Sequence, residues 1–185
     1  GILKATAGRV EVDGLEASGK DLKELRRKVG LIFQYPEHQL FEETVYKDIT
    51  FGLLKMGLSE AETKERVFHA INLLDISPDL LEKSPFELSG GQKRRVAIAG
   101  VLVMKPEVLV LDEPTAGLDP KGSREVFEIL SKLNKNENTT IVIISHNMED
   151  IASFCDRIAV MNNGELKMCD TARNIFSQPE KLKMY

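Results

Sequence analysis

Cysteines and long hydrophobic runs are scarce in this sequence of 185 residues. Cys155 and Cys169 are the only two cysteines, and neither belongs to a CxxC pair or to a cluster with histidines. The sequence therefore predicts reduced, structural cysteines in a cytosolic protein. Because no apolar run approaches the roughly 20 residues of a membrane-spanning helix, we expect any membrane association to go through a partner or a surface.

An excess of basic residues is absent as well. The chain has 25 Lys and Arg against 29 Asp and Glu, which gives a formal net charge of −4. It therefore has no overall basic field for binding nucleic acid. With 42% hydrophobic and 29% charged residues, the composition is that of an ordinary globular protein with a real core.

A complete phosphate-binding P-loop is also missing. Gly19-Lys20 is suggestive, but Asp21 stands where a P-loop has Ser or Thr. Gly14-Leu15-Glu16 precedes the loop, where a P-loop would follow a buried strand. We therefore interpret residues 17–21 as an ordinary loop.

Three short apolar segments predict the strands of a parallel sheet. Residues 29–33, 108–111 and 139–144 are mostly apolar or β-branched, and helical segments separate them. This alternation predicts an α/β fold with helices on both faces of the sheet. The four apolar residues at 108–111 predict a strand buried on both faces. Residues 44–88 look helical and predict an insert between two strand regions.

Local signals predict where several helices begin and end. Thr44 predicts a helix N-cap, and Ser59 with Glu62 predicts a capping box. Pro120 predicts the start of a helix that ends near residue 133, where residues 134–138 alternate asparagine with charged residues and the end frays. A hairpin is predicted through residues 162–164, between helices at 148–154 and 171–176.

The stretch Leu88-Ser89-Gly90-Gly91-Gln92, which we call the glycine turn, predicts an anion site at the start of a helix. Small residues there leave main-chain N–H groups free and give an anion room to approach, and the helix dipole favours negative charge. The basic run Lys93-Arg94-Arg95 follows. It could meet phosphate, but a solvated helix face is the favoured interpretation.

Polar residues follow each predicted strand. Asp112-Glu113 should lie at the carboxyl end of its strand, where ligands bind in open α/β sheets. One carboxylate there can hold Mg²⁺ while its neighbour polarises an attacking water, although buried strands often end in acidic loop residues. Gln34 could reach a metal or water, and His146 could serve the same site. Taken alone, each of these two is more often structural.

Five motifs in a fixed order resemble the nucleotide-binding subunits of ATP-binding-cassette (ABC) transporters. The glycine turn matches that family's signature motif, residues 108–113 match its Walker B, and Leu118-Asp119 matches its D-loop. Gln34 matches the Q-loop glutamine, and His146 matches the switch histidine. The motifs extend over most of the chain.

A finer resemblance is to the ATPases of energy-coupling-factor (ECF) transporters, and within these to the second member of the paired ATPases. It rests on residues 33–45 and 84–92. The family's Walker A loop is absent, and residues 1–8 resemble the segment that follows the Walker A helix. We therefore expect that the natural protein continues upstream, and that this stretch alone does not bind ATP in cis.

The resemblance implies a P-loop NTPase-like (RecA-like) α/β fold, with a partial parallel-sheet core and an inserted α-helical subdomain. It implies a single incomplete ABC ATPase domain. The implied parts are a core at 1–43 and 101–170 that lacks its N-terminal strand, a helical subdomain with the signature motif at 44–100, and the start of a C-terminal extension at 171–185.

The resemblance also implies a mechanism in which two subunits face head to tail around two ATP molecules with Mg²⁺. The residues of the glycine turn would grip the γ-phosphate of ATP held by the partner. Asp112 and Gln34 would serve Mg²⁺. Glu113 would be the general base for the attacking water, and His146 would position that water and the γ-phosphate.

The implied activity is ATP hydrolysis coupled to uptake of vitamins or transition-metal ions at the cytoplasmic face of the cell membrane. Leu118-Asp119 would couple the two sites of a homo- or heterodimer. The implied partners are a second ABC ATPase, an integral membrane coupling subunit (T component) touched by the helical insert, and a substrate-binding membrane subunit (S component), with no nucleic acid. Two alternatives stay open: a non-transport ABC ATPase, and a non-catalytic module that only pairs or docks.

Overall fold

The computed structural model describes residues 5–185, apart from the side chain of Lys55. Residues 1–4 of the segment that resembles the stretch after the Walker A helix lie outside this range. The chain forms two compact units, one up to Ile144 and one from Ser145 to Tyr185.

A three-stranded parallel sheet is the centre of the first unit. Its strands are β3 (Val29–Ile32), β4 (Val108–Asp112) and β5 (Thr140–Ile144), in the order β3-β4-β5. These are the three predicted strands, with β3 ending before Phe33, which is exposed. Before them, β1 (Glu11–Val12) and β2 (Leu15–Glu16) form a small antiparallel hairpin.

The two faces of the parallel sheet differ in burial. Leu109 and Leu111 of β4 are fully buried, whereas Val142 and Ile144 of β5 are 43% and 53% exposed. The prediction of a sheet covered on both faces is therefore wrong at β5 in the described part of the chain, whereas in β4 the residues Val108 and Val110 are half-buried. An apolar run fits burial on both faces, but it does not show whether a second layer covers the sheet.

The described residues of the first unit form five α-helices. They are α1 (Leu22–Lys28), α2 (Val45–Thr50), α3 (Glu60–Leu73), α4 (Gly90–Leu102) and α5 (Pro120–Glu137). Short 3₁₀ segments lie between several of them, at Pro36–Gln39, Phe51–Lys55, Pro78–Leu80 and Pro85–Glu87.

The predicted caps are confirmed, and one predicted helix end is wrong. Thr44 accepts a hydrogen bond from the N–H of Lys47 at the start of α2, and Ser59 forms a reciprocal capping box with Glu62. Helix α5 continues four residues past the predicted end and stops at Asn138, whose φ is +54°. Asparagine costs a helix well under 1 kcal/mol per residue, so Asn134 and Asn136 are tolerated inside the helix, and Asn138 ends it in the left-handed cap conformation.

One hydrophobic core joins helices α2 to α5 to the buried face of the sheet. Its fully buried members include Ile49, Ile71, Val96, Leu109 and Leu111. Helix α4 packs in its middle and contacts α2, α3 and β3. The orientation of the glycine turn at the start of α4 is therefore set by side chains along the rest of that helix.

The second unit is a hairpin with three short helices. Strands β6 (Arg157–Asn162) and β7 (Glu165–Thr171) pair in antiparallel fashion, as predicted. Helix α6 (Met148–Phe154) precedes them, and α7 (Ala172–Phe176) and α8 (Pro179–Leu182) follow. Ile158 and Ile175 are its buried apolar residues. Of the helices in the described residues, none has the length and apolar character needed to span a bilayer.

Candidate functional site

The glycine turn begins helix α4. Ser89 is the N-cap: its Oγ accepts from the N–H of Gln92 at 3.4 Å, and the Oε1 of Gln92 accepts from the N–H of Ser89 at 3.0 Å. Leu88 is buried and anchors the turn, whereas Gly90 and Gly91 are exposed. Because first-turn N–H groups have no acceptor inside the helix, those of the two glycines are the donors that an outside acceptor would meet.

The packing of the chain does not require glycine at Gly90 or Gly91. A Cβ at either position would meet no heavy atom within 4 Å outside its own helix and chain neighbours, and neither φ is positive. At Gly30, by contrast, a Cβ would lie 2.7 Å from Cγ1 of Val101. Since glycine lowers helix stability by about 0.5–1 kcal/mol relative to alanine, the packing of the chain itself does not account for two glycines in open space.

The acidic pair lies at the carboxyl end of β4, as predicted. Asp112 is the last residue of the strand and is half-buried. Glu113 follows with φ +46°, and its N–H donates to the carbonyl oxygen of Ile144 at 2.8 Å. The chain therefore turns sharply at Glu113 while its main chain stays bonded to the neighbouring strand. A left-handed φ on a residue other than glycine costs about 1–2 kcal/mol.

The loop after Glu113 leads to the start of α5. Gly117 has φ +74°, and Leu118 is half-buried beside it. Asp119 is the N-cap of α5, because its Oδ1 accepts from the N–H of Gly122 at 2.8 Å. The predicted D-loop aspartate thus has a structural task of its own, and its coupling role stays a prediction.

Gln34 lies two residues after β3 and is exposed. The aromatic ring of Tyr35 stacks on His38 with centroids 5.6 Å apart, and Pro36 is buried. The register pairs Ile32 with Leu111, so the segment with Gln34 and the segment with the acidic pair leave the same edge of the sheet.

The segment after Gln34 is tied to helix α2 by Asp48. The carboxylate of Asp48 accepts from the N–H groups of Phe41 at 3.3 Å and Glu42 at 3.2 Å. Burial raises the pKa of Asp48, and the two N–H donors oppose that rise. This carboxylate therefore links the loop to the helical insert.

The interpretation of Lys93-Arg94-Arg95 as a solvated helix face is wrong for Arg94, which is buried. It is 6% exposed, and its guanidinium donates to three carbonyl oxygens: Ala116 at 2.9 Å, Pro114 at 2.8 Å and Gln34 at 3.2 Å. Its neighbour Arg95 is half-exposed.

One guanidinium thus brings together the segments of three predicted motifs. Sequence reasoning missed Arg94 because three consecutive basic residues look like a polar surface. A signal was present in the helix period, since Arg94, Ile98 and Leu102 follow each other at intervals of four on the buried face of α4.

His146 belongs to the second unit and is exposed, one residue before Asn147. Asn147 is the N-cap of α6, because its side-chain oxygen accepts from the N–H groups of Glu149 and Asp150. The role predicted for His146 stays a prediction.

The donor set at the sheet edge fits Mg²⁺ held together with a phosphate. Among residues 5–185, no three His, Cys, Asp or Glu side chains gather as a metal site. Magnesium in nucleotide sites needs only one or two carboxylates, with phosphate and water as further ligands. Asp112 offers a half-buried carboxylate, and Gln34 an exposed carboxamide at the end of the neighbouring strand.

Fold and site together define an α/β protein of the P-loop NTPase-like class. The family model described as "ABC transporter" matches residues 1–116. The chain therefore belongs to the family of ABC transporter ATP-binding domains.

Two curated relatives show which members of this family the chain is similar to. The chain is 55% identical over 183 residues to the "Energy-coupling factor transporter ATP-binding protein EcfA2" of Acetivibrio thermocellus. It is 52% identical over 185 residues to the protein of the same name from Caldanaerobacter subterraneus subsp. tengcongensis. In both cases the match covers 99% of this chain and 65% of the relative, so the chain spans just under two thirds of their length.

Solved structures show the same fold. CbiO1 of Clostridium perfringens, described as part of the ABC transporter complex CbiONQ, matches with a TM-score of 0.86 and 41% identity over 100% of this chain and 74% of that one. The ATP-binding cassette MJ0796, solved as a dimer in a post-hydrolysis state bound to ADP and Pi, matches with a TM-score of 0.79 and 28% identity over 93% and 76%.

Proposed function

We propose that the chain is part of the ATP-binding and ATP-hydrolysing subunit of an ECF-type ABC importer. The observation that carries this proposal is the pair of exposed glycines at the start of α4, which the chain's own packing does not explain. The names of the curated relatives and of CbiO1 support the ECF type. The whole protein would couple hydrolysis to uptake of vitamins or transition-metal ions.

The glycine turn would act on ATP held by a second cassette. Its N–H groups and the positive end of the α4 dipole suit a γ-phosphate, and the open space around Gly90 and Gly91 would let that phosphate approach. The dimeric structure of MJ0796 with ADP and Pi supports a pairing of two cassettes, and the proposal adds that the two chains face head to tail. Asp119, the N-cap of α5, would couple the two ATP sites.

The acidic pair would serve the nucleotide of the chain's own subunit. Asp112, together with Gln34, would hold Mg²⁺, which neutralises charge on the phosphates when bound. Glu113 would accept a proton from the attacking water. His146 would position that water and the γ-phosphate. Catalysis of phosphoryl transfer is mostly positioning and electrostatics, so the direction fixed by the left-handed turn at Glu113 matters.

Membrane subunits would dock on the helical insert, and the subunit would lie at the cytoplasmic face of the membrane. Phe41 and Phe51 form an edge-to-face pair with centroids 4.9 Å apart, and both are exposed. Leu54 and Phe86 are 73% and 64% exposed. Large exposed apolar side chains of this kind suit a protein partner, here the membrane coupling subunit, while a separate membrane subunit would choose the substrate.

The variant Glu113→Gln tests the proposed function in the full-length protein paired with its partner ATPase. We expect ATP binding to persist and turnover to fall by about 100-fold or more, because the amide does not accept the proton. Glu107→Gln is the matched control, since Glu107 precedes the other end of β4 and pairs with Lys28 at 3.3 Å. An unchanged rate in Glu113→Gln would show that the assignment of the base is wrong.

A further inference from the structure

Arg94 is a buried cation whose hydrogen bonds reach two loops of the candidate site. Its Nη1 donates to the carbonyl oxygen of Ala116, and its Nη2 donates to those of Pro114 and Gln34. The side chain leaves α4 one turn after the glycine turn begins. A single planar group therefore joins the signature helix, the residue after β3 and the loop after β4.

The three acceptors are main-chain carbonyls of irregular segments, which need donors when they are buried. A guanidinium presents its N–H groups in a rigid fork, so it sets the direction as well as the distance of each carbonyl. Lysine keeps the charge but lacks this fork. The chemistry of the contact thus requires arginine if both loops are to be held at once.

The burial of Arg94 also has a cost in stability. Within the described residues, the buried Nε of Arg94 has no hydrogen-bond partner. An N–H group that is buried without an acceptor lowers stability, and positions 98 and 102 on the same helix face are filled by isoleucine and leucine. Arg94 differs from Ile98 and Leu102 because it donates hydrogen bonds to the loops of the candidate site.

Those contacts flank the residues predicted to handle the nucleotide. Pro114 directly follows Glu113, and the N–H of Ala116 donates to the carbonyl of Glu113 at 3.0 Å. Gln34 is bonded through its own carbonyl. The guanidinium therefore holds the main chain both after β3 and after β4.

We propose that Arg94 is a positioning residue that holds Gln34 and the 113–119 loop in fixed register with the glycine turn. This rests on the proposed function, in which the loops serve one nucleotide and the glycine turn serves the nucleotide of the partner. Arg94 then couples the position of the two loops at one ATP site to that of the glycine turn at the other ATP site.

Hydrogen exchange and steady-state kinetics on the full-length protein test this proposal, with the variants Arg94→Lys and Arg94→Met. We expect amides of residues 34–40 and 113–119 to exchange about fivefold faster or more, with α3 and α5 unchanged. We expect kcat to fall about tenfold or more while the KM for ATP stays within about threefold. Arg66→Gln is the control, because Arg66 donates to the single carbonyl of Val103 at 3.3 Å, outside the predicted motifs.

Exchange in both loops equal to that of the wild type, in a folded Arg94 variant, would overturn the proposal. So would faster exchange spread evenly over the first unit, which would indicate a purely structural role, or loosened loops with an unchanged kcat. If the wild type itself does not hydrolyse ATP, the proposed function fails, and the exchange data alone decide whether Arg94 holds the loops. If Arg94→Met does not fold, Arg94→Lys supplies the comparison.

Discussion

The main-chain N–H of Glu113 donates to the carbonyl oxygen of Ile144 at 2.8 Å, one residue beyond the end of strand β4. This bond continues the pairing with β5 although Glu113 has already turned to φ +46°. The candidate base therefore sits on main chain that is held in a left-handed conformation by its neighbour. Backbone strain at a residue of this kind is common at functional sites.

The strain at Glu113 predicts an order of stability among its variants. Glu113→Asn should be more stable than Glu113→Val by about 1 kcal/mol or more, because asparagine tolerates the left-handed region and a β-branched residue does not. Both variants lose the carboxylate, so the comparison isolates the backbone. Chemical denaturation measures the difference. Equal stabilities would mean that the turn relaxes when the side chain changes.

The open space at Gly91 predicts a variant that gains stability. Gly91→Ala should raise the free energy of unfolding by up to about 1 kcal/mol, because a Cβ meets nothing within 4 Å and alanine favours the helix. Gly30→Ala is the opposite control: its Cβ would lie 2.7 Å from Val101, so stability should fall. Thermal unfolding reports both. A loss of stability in Gly91→Ala would contradict the inference that the chain itself does not need this glycine.

The cap at Asp119 can be separated from its proposed coupling role. Asp119→Ala should lower the free energy of unfolding by about 1 kcal/mol, because the N–H of Gly122 loses its acceptor, whereas Asp119→Asn keeps a capping oxygen and should be nearly neutral. If Asp119 also acts between sites, ATP turnover of the dimer should fall in the Asn variant despite its stability. Full turnover in Asp119→Asn would leave the residue as a helix cap only.

The raised pKa of Asp48 predicts a pH dependence with a definite sign. Burial favours its neutral form, so the folded state takes up a proton at a higher pH than the unfolded chain, whose ordinary value is 3.8. The stability that Asp48 contributes by binding a proton in the folded state is fully present below the unfolded pKa of 3.8. It is lost as the pH rises through the folded pKa. We therefore expect the wild type to lose stability relative to Asp48→Asn as the pH rises from about 3 to 6.

Asp79 offers a control of opposite sign for that measurement. Its pKa is lowered, first by the hydrogen bond from Ser77. The wild type should therefore lose stability relative to Asp79→Asn as the pH falls from the ordinary value of 3.8 through the lowered folded pKa. Urea unfolding at several pH values measures both differences. A wild type that gains stability relative to Asp48→Asn with rising pH would contradict the assignment of burial as the dominant cause.

Short-range signals predicted the local structure well, because their physical causes lie within a few residues. The capping box at Ser59 depends on a hydroxyl and an acceptor three positions apart. The position of Asp112 depends on one apolar run and its end. These features were confirmed without knowledge of the rest of the fold.

What the sequence did not show depends on contacts between distant segments. The exposure of Val142 and Ile144 depends on which layer covers the second face of the sheet, and a run of apolar residues does not state that. The burial of Arg94 depends on carbonyls 20 to 60 positions away along the chain. The left-handed φ of Glu113 goes together with a hydrogen bond to Ile144, 31 positions further along the chain.

The most direct test of the account is the ATP turnover of the paired cassettes with Gly91→Asp. The new carboxylate would occupy the space proposed for the partner's γ-phosphate and repel it, so turnover should fall about 100-fold or more. The same carboxylate lies near the positive end of the α4 dipole, so the folded chain should be at least as stable as the wild type. Normal turnover in a stable Gly91→Asp protein would contradict the claim that this turn binds phosphate.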